Sequence, residues 1–208
     1  MRTIKGSAVV MIGVDRHGVG AVKSEQIGRG RHGSAPLLLK AALAYAGRSV
    51  PVFPCQPSAK RPLTRNGHWD ATTDPQAIGR WWKQWPSANI GVPTGKKSGL
   101  VVLDVDPDAG GSESLAKLER VDSPLPETTR ARTGGGGIHI FFRYPRGTEI
   151  RNSAGLLGPG LDVRGEGGYI VVPPSRTRGP YEWVDSSPLA EASWLIERLA
   201  DGDEATLF

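Results

Sequence analysis

Cysteine is almost absent from this sequence. Cys55 is the only one in 208 residues, which excludes an internal disulfide and a cysteine-built zinc centre and fits a reducing compartment. Long apolar runs are missing too. Ala8–Val14, the longest near the N-terminus, ends at Asp15. It falls far short of the roughly 20 apolar residues of a membrane span and lacks the parts of a signal peptide. The expectation is a soluble, cytoplasmic protein with no membrane partner. No internal repeat is present. Glycine (28) and proline (17) are plentiful, so many turns and few long helices are expected. The length and a hydrophobic content of 38% suit one domain with its own core.

The net charge of +5 is unevenly spread. Residues 1–50 carry 8 Lys/Arg against 2 Asp/Glu, residues 51–100 are net +5, and residues 101–208 are net −6. A basic chain suits nucleic acid. A basic first half facing an acidic second half would suit a metal site beside a phosphate channel, and ordinary surface scatter would give the same counts. Residues 1–34 are basic, Gly-rich and without periodicity. They read as a flexible N-terminal segment, with a DNA-binding arm as the alternative. Residues 35–200 read as the folded domain and 201–208 as an acidic tail.

Within the domain, Leu37–Ala46 is a run of strong helix formers that stops at Gly47. Val50–Pro54 reads as a short edge strand because of its prolines. Thr73-Asp74-Pro75 opens a helix carrying Trp81, Trp82 and Trp85. Core packing is the favoured reading of these rings, with Trp82 or Trp85 exposed and base stacking as the alternative. Asn89–Pro93 reads as a strand, Leu100–Val105 as a buried strand, Ser114–Arg120 as a helix and Ile138–Tyr144 as a strand. Leu161–Arg164 and Tyr169–Val172, joined by Gly165–Gly168, read as a hairpin. A helix over Ala190–Leu199 closes the domain. The mixture is α+β. Lys96-Lys97 reads as a turn-borne pair, either solvated or touching DNA phosphates.

Three motifs carry chemistry. Asp104 and Asp106 end the Leu100–Val105 strand at i and i+2, so both carboxylates project from one face. Such a pair repels unless a cation neutralises it, and hard oxygen ligands suit Mg²⁺ or Mn²⁺. A solvated strand end is the plain alternative. Thr133-Gly134-Gly135-Gly136-Gly137 then leads a strand bearing His139. Glycine amides can cradle phosphate there, or the loop is only a flexible turn and His139 a core histidine. Asp162 and Arg164 repeat the i, i+2 geometry with opposite charges, as a site or as a cross-strand salt bridge.

In this order the motifs resemble the archaeo-eukaryotic primase superfamily. More closely, Leu38–Trp194 is similar to the bifunctional primase-polymerase (prim-pol) domain of plasmids, phages and integrated elements. Lys60-Arg61-Pro62-Leu63, Asn89-Ile90-Gly91, Val171–Ser175 and Tyr181-Glu182-Trp183 add to the likeness. The resemblance implies a small αβ module packed on an RRM-like module, with the active site in the cleft between them. It implies Asp104, Asp106 and Asp162 as catalytic, metal-binding residues for two Mg²⁺ or Mn²⁺ ions, with no zinc. His139 and Arg164 would bind the nucleotide, Gly136 and Gly137 would allow its close approach, and Lys60 is a weaker contact. The implied activity is DNA primase or DNA polymerase, with template or primer DNA and nucleoside triphosphates as partners. A helicase or template-binding protein is expected to be separate. Gly135 stands where relatives often carry a small hydroxyl residue, so one phosphate contact is expected to be lost. With the template-binding and helicase parts expected to be separate, extension is better supported than initiation.

Two rival readings remain open at this level. An RRM-like single-strand-binding module would need no carboxylate triad. A nucleotide-sugar transferase can use D-x-D, yet the Pro-broken strands before Asp104 suit it poorly.

Overall fold

The computed structural model describes residues 34–121 and 124–205. Residues 1–33 of the segment read as a flexible N-terminal arm and residues 206–208 of the tail lie outside these, while Ser34, the last residue of that segment, is helical. The helices are α1 (Ser34–Ala46), α2 (Pro75–Gln84), α3 (Gly111–Val121) and α4 (Ser193–Ala205). The strands are β1 (Phe53–Cys55), β2 (Asn89–Pro93), β3 (Leu100–Val105), β4 (Arg130–Arg132), β5 (Ile138–Arg143), β6 (Ser153–Ala154), β7 (Leu161–Arg164), β8 (Tyr169–Val172), β9 (Glu182–Asp185) and β10 (Ala190–Glu191). The α+β expectation holds. No helix among the described residues is long and apolar enough to cross a membrane.

The strands form two sheets. The small one has the order β1-β2-β8, with the proline-bearing β1 at its edge as expected. The large one runs β6-β7-β3-β5-β4-β9, and β10 pairs in parallel with the end of β5. The main ladder, β7-β3-β5-β4, is antiparallel throughout.

Helix α1 buries Leu38, Ala41, Ala42, Tyr45 and Ala46, positions i, i+3, i+4, i+7 and i+8 of one face. The Tyr45 hydroxyl donates to the Pro173 carbonyl at 2.7 Å. At the start of α2, the Asp74 carboxylate caps the backbone N–H groups of Gln76 and Ala77 at 3.0 and 3.1 Å. Ile78 and Trp82 are buried, and Trp82 Nε1 donates to the Ala88 carbonyl. Trp81 and Trp85 are partly buried against the same core. The favoured core reading of the tryptophans is therefore right, but neither Trp82 nor Trp85 is exposed as expected: Trp82 is the deepest of the three and Trp85 is partly buried.

Strand β3 divides the hydrophobic core. One face contributes Leu100 and Val102 to a cluster with α1, α2, Ile90, Val92, Phe141 and Val172. The other contributes Val101, Leu103 and Val105, which pack with Phe142, Leu161, Val163 and Leu195 under α3 and α4. Alternation along β3 thus buries both faces, and Asp104 emerges on the α1 side, past the end of the apolar patch.

One expectation fails. Leu161–Arg164 and Tyr169–Val172 do not form a hairpin. Strand β7 pairs with β3 and β6, whereas β8 crosses to the small sheet and pairs with β2, Ile90 opposite Val172 and Val92 opposite Ile170. The intervening turn is held by other segments: Glu166 N–H donates to Ile150, and Thr94 Oγ1 donates to the Gly165 carbonyl. The turn reverses the chain, but the partner is decided by burial of Ile170 and Val172 beside β2.

In the small sheet, Gly91 of β2 lies under the Phe53 ring. A Cβ there would meet Phe53 Cε2 at 2.6 Å. Gly91→Ala is therefore expected to destabilise the fold by about 1–3 kcal/mol, the usual cost of overpacking, read as a lower urea midpoint with an unchanged slope. An unaltered midpoint would mean that the ring relaxes freely.

Candidate active site

The site is built by cross-strand register. In β3, Asp104 stands directly opposite His139 of β5 and directly opposite Asp162 of β7. Three motifs distant in sequence therefore meet in one row across three strands. Arg164, two residues beyond Asp162 on the same face, reaches back between the carboxylates. Its Nη2 lies 2.8 Å from Asp162 Oδ2 and 3.3 Å from Asp104 Oδ2. Two like charges opposite each other repel, and this one guanidinium nitrogen offsets both. The Gly155 N–H adds a hydrogen bond to Asp162 Oδ1 at 3.1 Å.

Asp106 lies just past the strand end. Its Oδ1 accepts from the Asp108 N–H at 3.0 Å, capping the 3₁₀ turn Pro107–Ala109. It lines the same cavity as Asp104, Asp162 and Arg164, of about 230 Å³. The Gly-rich turn forms part of the wall. Gly137 lines the cavity, and a Cβ there would strike the Val105 carbonyl. Gly135 also lines it, while Gly136 takes the left-handed backbone of the turn, φ +92°, with open space around it. Thr133 closes the turn by accepting the Gly137 N–H on Oγ1 at 3.1 Å.

His139 is 2% exposed. Its ring lies near Phe141 and Tyr181, centroids 6.1 and 6.0 Å away. Nε2 is 3.5 Å from Asp104 Oδ1, and Nδ1 is buried without a hydrogen-bond partner. Burial pulls its pKa down from 6.5 to about 4, with Asp104 opposing and Lys60 and Arg164 adding to the fall. The imidazole is therefore neutral at pH 7. A second cavity of about 240 Å³ opens beside the first. Its wall includes His139, Asn152 and Tyr169, and it shares Lys60, Asp104 and Arg164 with the first.

Lys60 thus lines both cavities. Arg178 was not anticipated: it lines the first cavity and pairs with Asp108 at 3.4 Å. Both cations stand on loops knitted together by Asn89, which is 3% exposed. Its Nδ2 donates to the carbonyls of Ala59 and Arg176 at 3.0 and 2.8 Å, and its Oδ1 accepts the Arg176 N–H at 2.9 Å. No motif marks Arg178. Asn89 opens the Asn89-Ile90-Gly91 segment that adds to the family likeness, but its part in tying the two loops was not legible there.

The family model described as bifunctional DNA primase/polymerase, N-terminal, matches residues 42–194. The chain belongs to this family. No curated protein matches it. In this primase/polymerase domain the matched span takes in every chemistry-bearing motif above, from Ala42 within α1 to Trp194. Carboxylate oxygens are the donors that Mg²⁺ or Mn²⁺ prefers, and Asp104, Asp106 and Asp162 share one cavity, so the donor set fits such ions. As the side chains stand, no group of three His, Cys, Asp or Glu among the described residues is arranged to ligate a metal. Arg164 bridges Asp104 and Asp162 instead.

The buried neutral imidazole makes a pH prediction for the metal-free domain. An unfolded histidine takes its proton near pH 6.5, but His139 only near 4. Between these values the unfolded state binds more protons. This contribution to stability is full above pH 6.5 and is lost as the pH falls towards 4. NMR of the folded domain should show His139 titrating near 4. Titration near 6.5 would contradict its burial.

Proposed function

We propose that the chain performs template-directed nucleotidyl transfer, as a DNA primase or polymerase, at the cavity around Asp104. The observation that carries the reading is the alignment of Asp104 with Asp162 and His139 across β7, β3 and β5. A structural salt bridge needs one carboxylate and one cation. Here two carboxylates face each other, a third lines the same cavity, and further cations ring it.

In this reading Asp104, Asp106 and Asp162 hold two Mg²⁺ or Mn²⁺ ions. When bound, such ions lower the pKa of the attacking 3′-hydroxyl and offset charge on the leaving pyrophosphate. The remaining work is positioning and electrostatics. Arg164 keeps the carboxylates in register in the empty site and becomes available to phosphate once its partners are engaged elsewhere. Lys60 and Arg178, on loops joined through Asn89, take phosphate charge at the cavity wall. The amides of the Gly-rich turn offer further donors. His139 meets the nucleotide with an unpartnered nitrogen, and an adjoining polyanion favours the imidazolium.

The same reading assigns an RRM-like module to the large sheet and an αβ module to the small one. Support comes from the four-stranded antiparallel ladder with α3 and α4 packed on one face, and from a cavity lined by both sheets. Primer-template DNA and nucleoside triphosphates are the partners, with a separate helicase or template-binding protein for initiation and a cytoplasmic setting in the replication of a plasmid, phage or integrated element.

Primer extension on a labelled primer-template with Mg²⁺ or Mn²⁺ tests this. The wild type should extend, and the Asp104→Ala, Asp106→Ala double variant should be slower by about a thousandfold or more, several kcal/mol of lost stabilisation. Circular dichroism should show its fold intact. Full extension by the variant would contradict the site. Strand binding without extension by the wild type would favour a binding module.

A further inference from the structure

The aromatic side chains around the small sheet form a ladder that nucleotidyl transfer does not use. At its inner end Phe53 is fully buried and meets Tyr169 of β8 edge-on, with centroids 5.4 Å apart at 80°. Tyr169 stacks on His68, 5.4 Å away at 26°. His68 lies 4.5 Å from Trp69, tilted by 35°. Trp69 ends the ladder in solvent, 62% exposed, well above every other large apolar side chain among the described residues.

Two observations set this ring apart from an incidental surface tryptophan. The turn that carries it, Gly67–Asp70, is pinned. The backbone N–H and Nδ2 of Asn66 donate to the two Asp70 carboxylate oxygens at 2.9 and 2.8 Å. Lys97 Nζ donates to the Trp69 carbonyl at 2.7 Å, tying the turn to the loop before β3. The indole is thus exposed on a rigid mount, so little side-chain entropy is lost when a partner covers it. Secondly, the Tyr169 ring lines the cavity that holds Asp104, His139 and Arg164. The ladder runs from the reaction site to the surface.

Charge narrows the choice of partner. Arg65 and Lys97 are exposed and lie near enough to Asp70 to lower its pKa, and neither forms an ion pair with a carboxylate among the described residues. A lone flat aromatic face set among cations suits a nucleobase on a polyanionic strand better than an apolar protein surface, which would need a wider patch. We propose that Trp69, backed by His68 and Tyr169, is a stacking platform that holds an unpaired base of single-stranded template DNA beside the active-site cavity. The position of the strand rests on the nucleotidyl-transfer reading. The stacking does not.

The test is binding of end-labelled oligothymidylate by fluorescence anisotropy at low salt, without metal or nucleotide. Trp69→Ala should weaken binding by about 5- to 150-fold, the range of one aromatic-base stack. Trp69→Phe should stay within about threefold of wild type, since it keeps a ring. At saturating DNA the nucleotide KM of Trp69→Ala should equal that of wild type. Unchanged strand binding in Trp69→Ala overturns the platform, as does a Trp69→Phe variant as weak as Trp69→Ala. A raised nucleotide KM with intact strand binding would assign the ring to the incoming nucleotide and also overturn it. A wild type that binds the strand through Trp69 yet extends no primer would sink the polymerase reading and leave the platform standing.

Discussion

Carboxylates placed opposite each other in a sheet destabilise it unless positive charge lies between them. That constraint governs the centre of this domain. Asp104 and Asp162 are register partners in β3 and β7, and Arg164 Nη2 contacts both. Strand β3 is otherwise apolar and packed on both faces, so it cannot swing to carry Asp104 away from Asp162. Asp104 is only 16% exposed, which strengthens both its repulsion from Asp162 and its attraction to Arg164. In the proposed reading, a divalent cation would relieve the same repulsion that Arg164 offsets.

The rest of the fold brings complementary charge to this row. Asn89 opens a strand of the small sheet and fastens two loops, one leading to Lys60 and one to Arg178. The crossover from β7 to β8 passes the chain from the carboxylate row to the small sheet and places Tyr169 in the cavity wall. This side of the cavity is cationic and aromatic, while the large sheet is acidic there. The cations at the cavity come from both halves of the sequence, Lys60 from residues 51–100 and Arg164 and Arg178 from residues 101–208.

Much of this was legible in the sequence because it depends on local rules. Leu100–Val105 announces itself as a buried strand, and the i, i+2 spacing places Asp104 on one face. Asp74 and Pro75 mark the start of α2, and the prolines mark β1 as an edge. The apposition of Asp104 with His139 and Asp162 is not local. It follows from strand pairing over long separations, and resemblance supplied what spacing could not. The supposed hairpin shows the limit: Gly165–Gly168 signals a reversal, but nothing local says that β8 joins β2 instead of β7. Strands β4, β6, β9 and β10 have two to four residues each, too few for a period to show. Arg178 belongs to a turn whose cavity contact arises only once both sheets are in place, and the link from Trp69 to the cavity wall runs through the rings of His68 and Tyr169.

The central claim is that the aligned carboxylates form a divalent-cation site in which Arg164 stands in for the ion. Electron paramagnetic resonance of Mn²⁺ titrated into the domain with a non-hydrolysable nucleoside triphosphate tests it most directly. The wild type should bind Mn²⁺, and Asp104→Asn and Asp162→Asn should each bind it at least about tenfold more weakly, the loss expected when a ligand goes. Equal Mn²⁺ affinity in wild type and both variants would contradict the account, leaving the carboxylate row as a salt bridge with no role in holding metal.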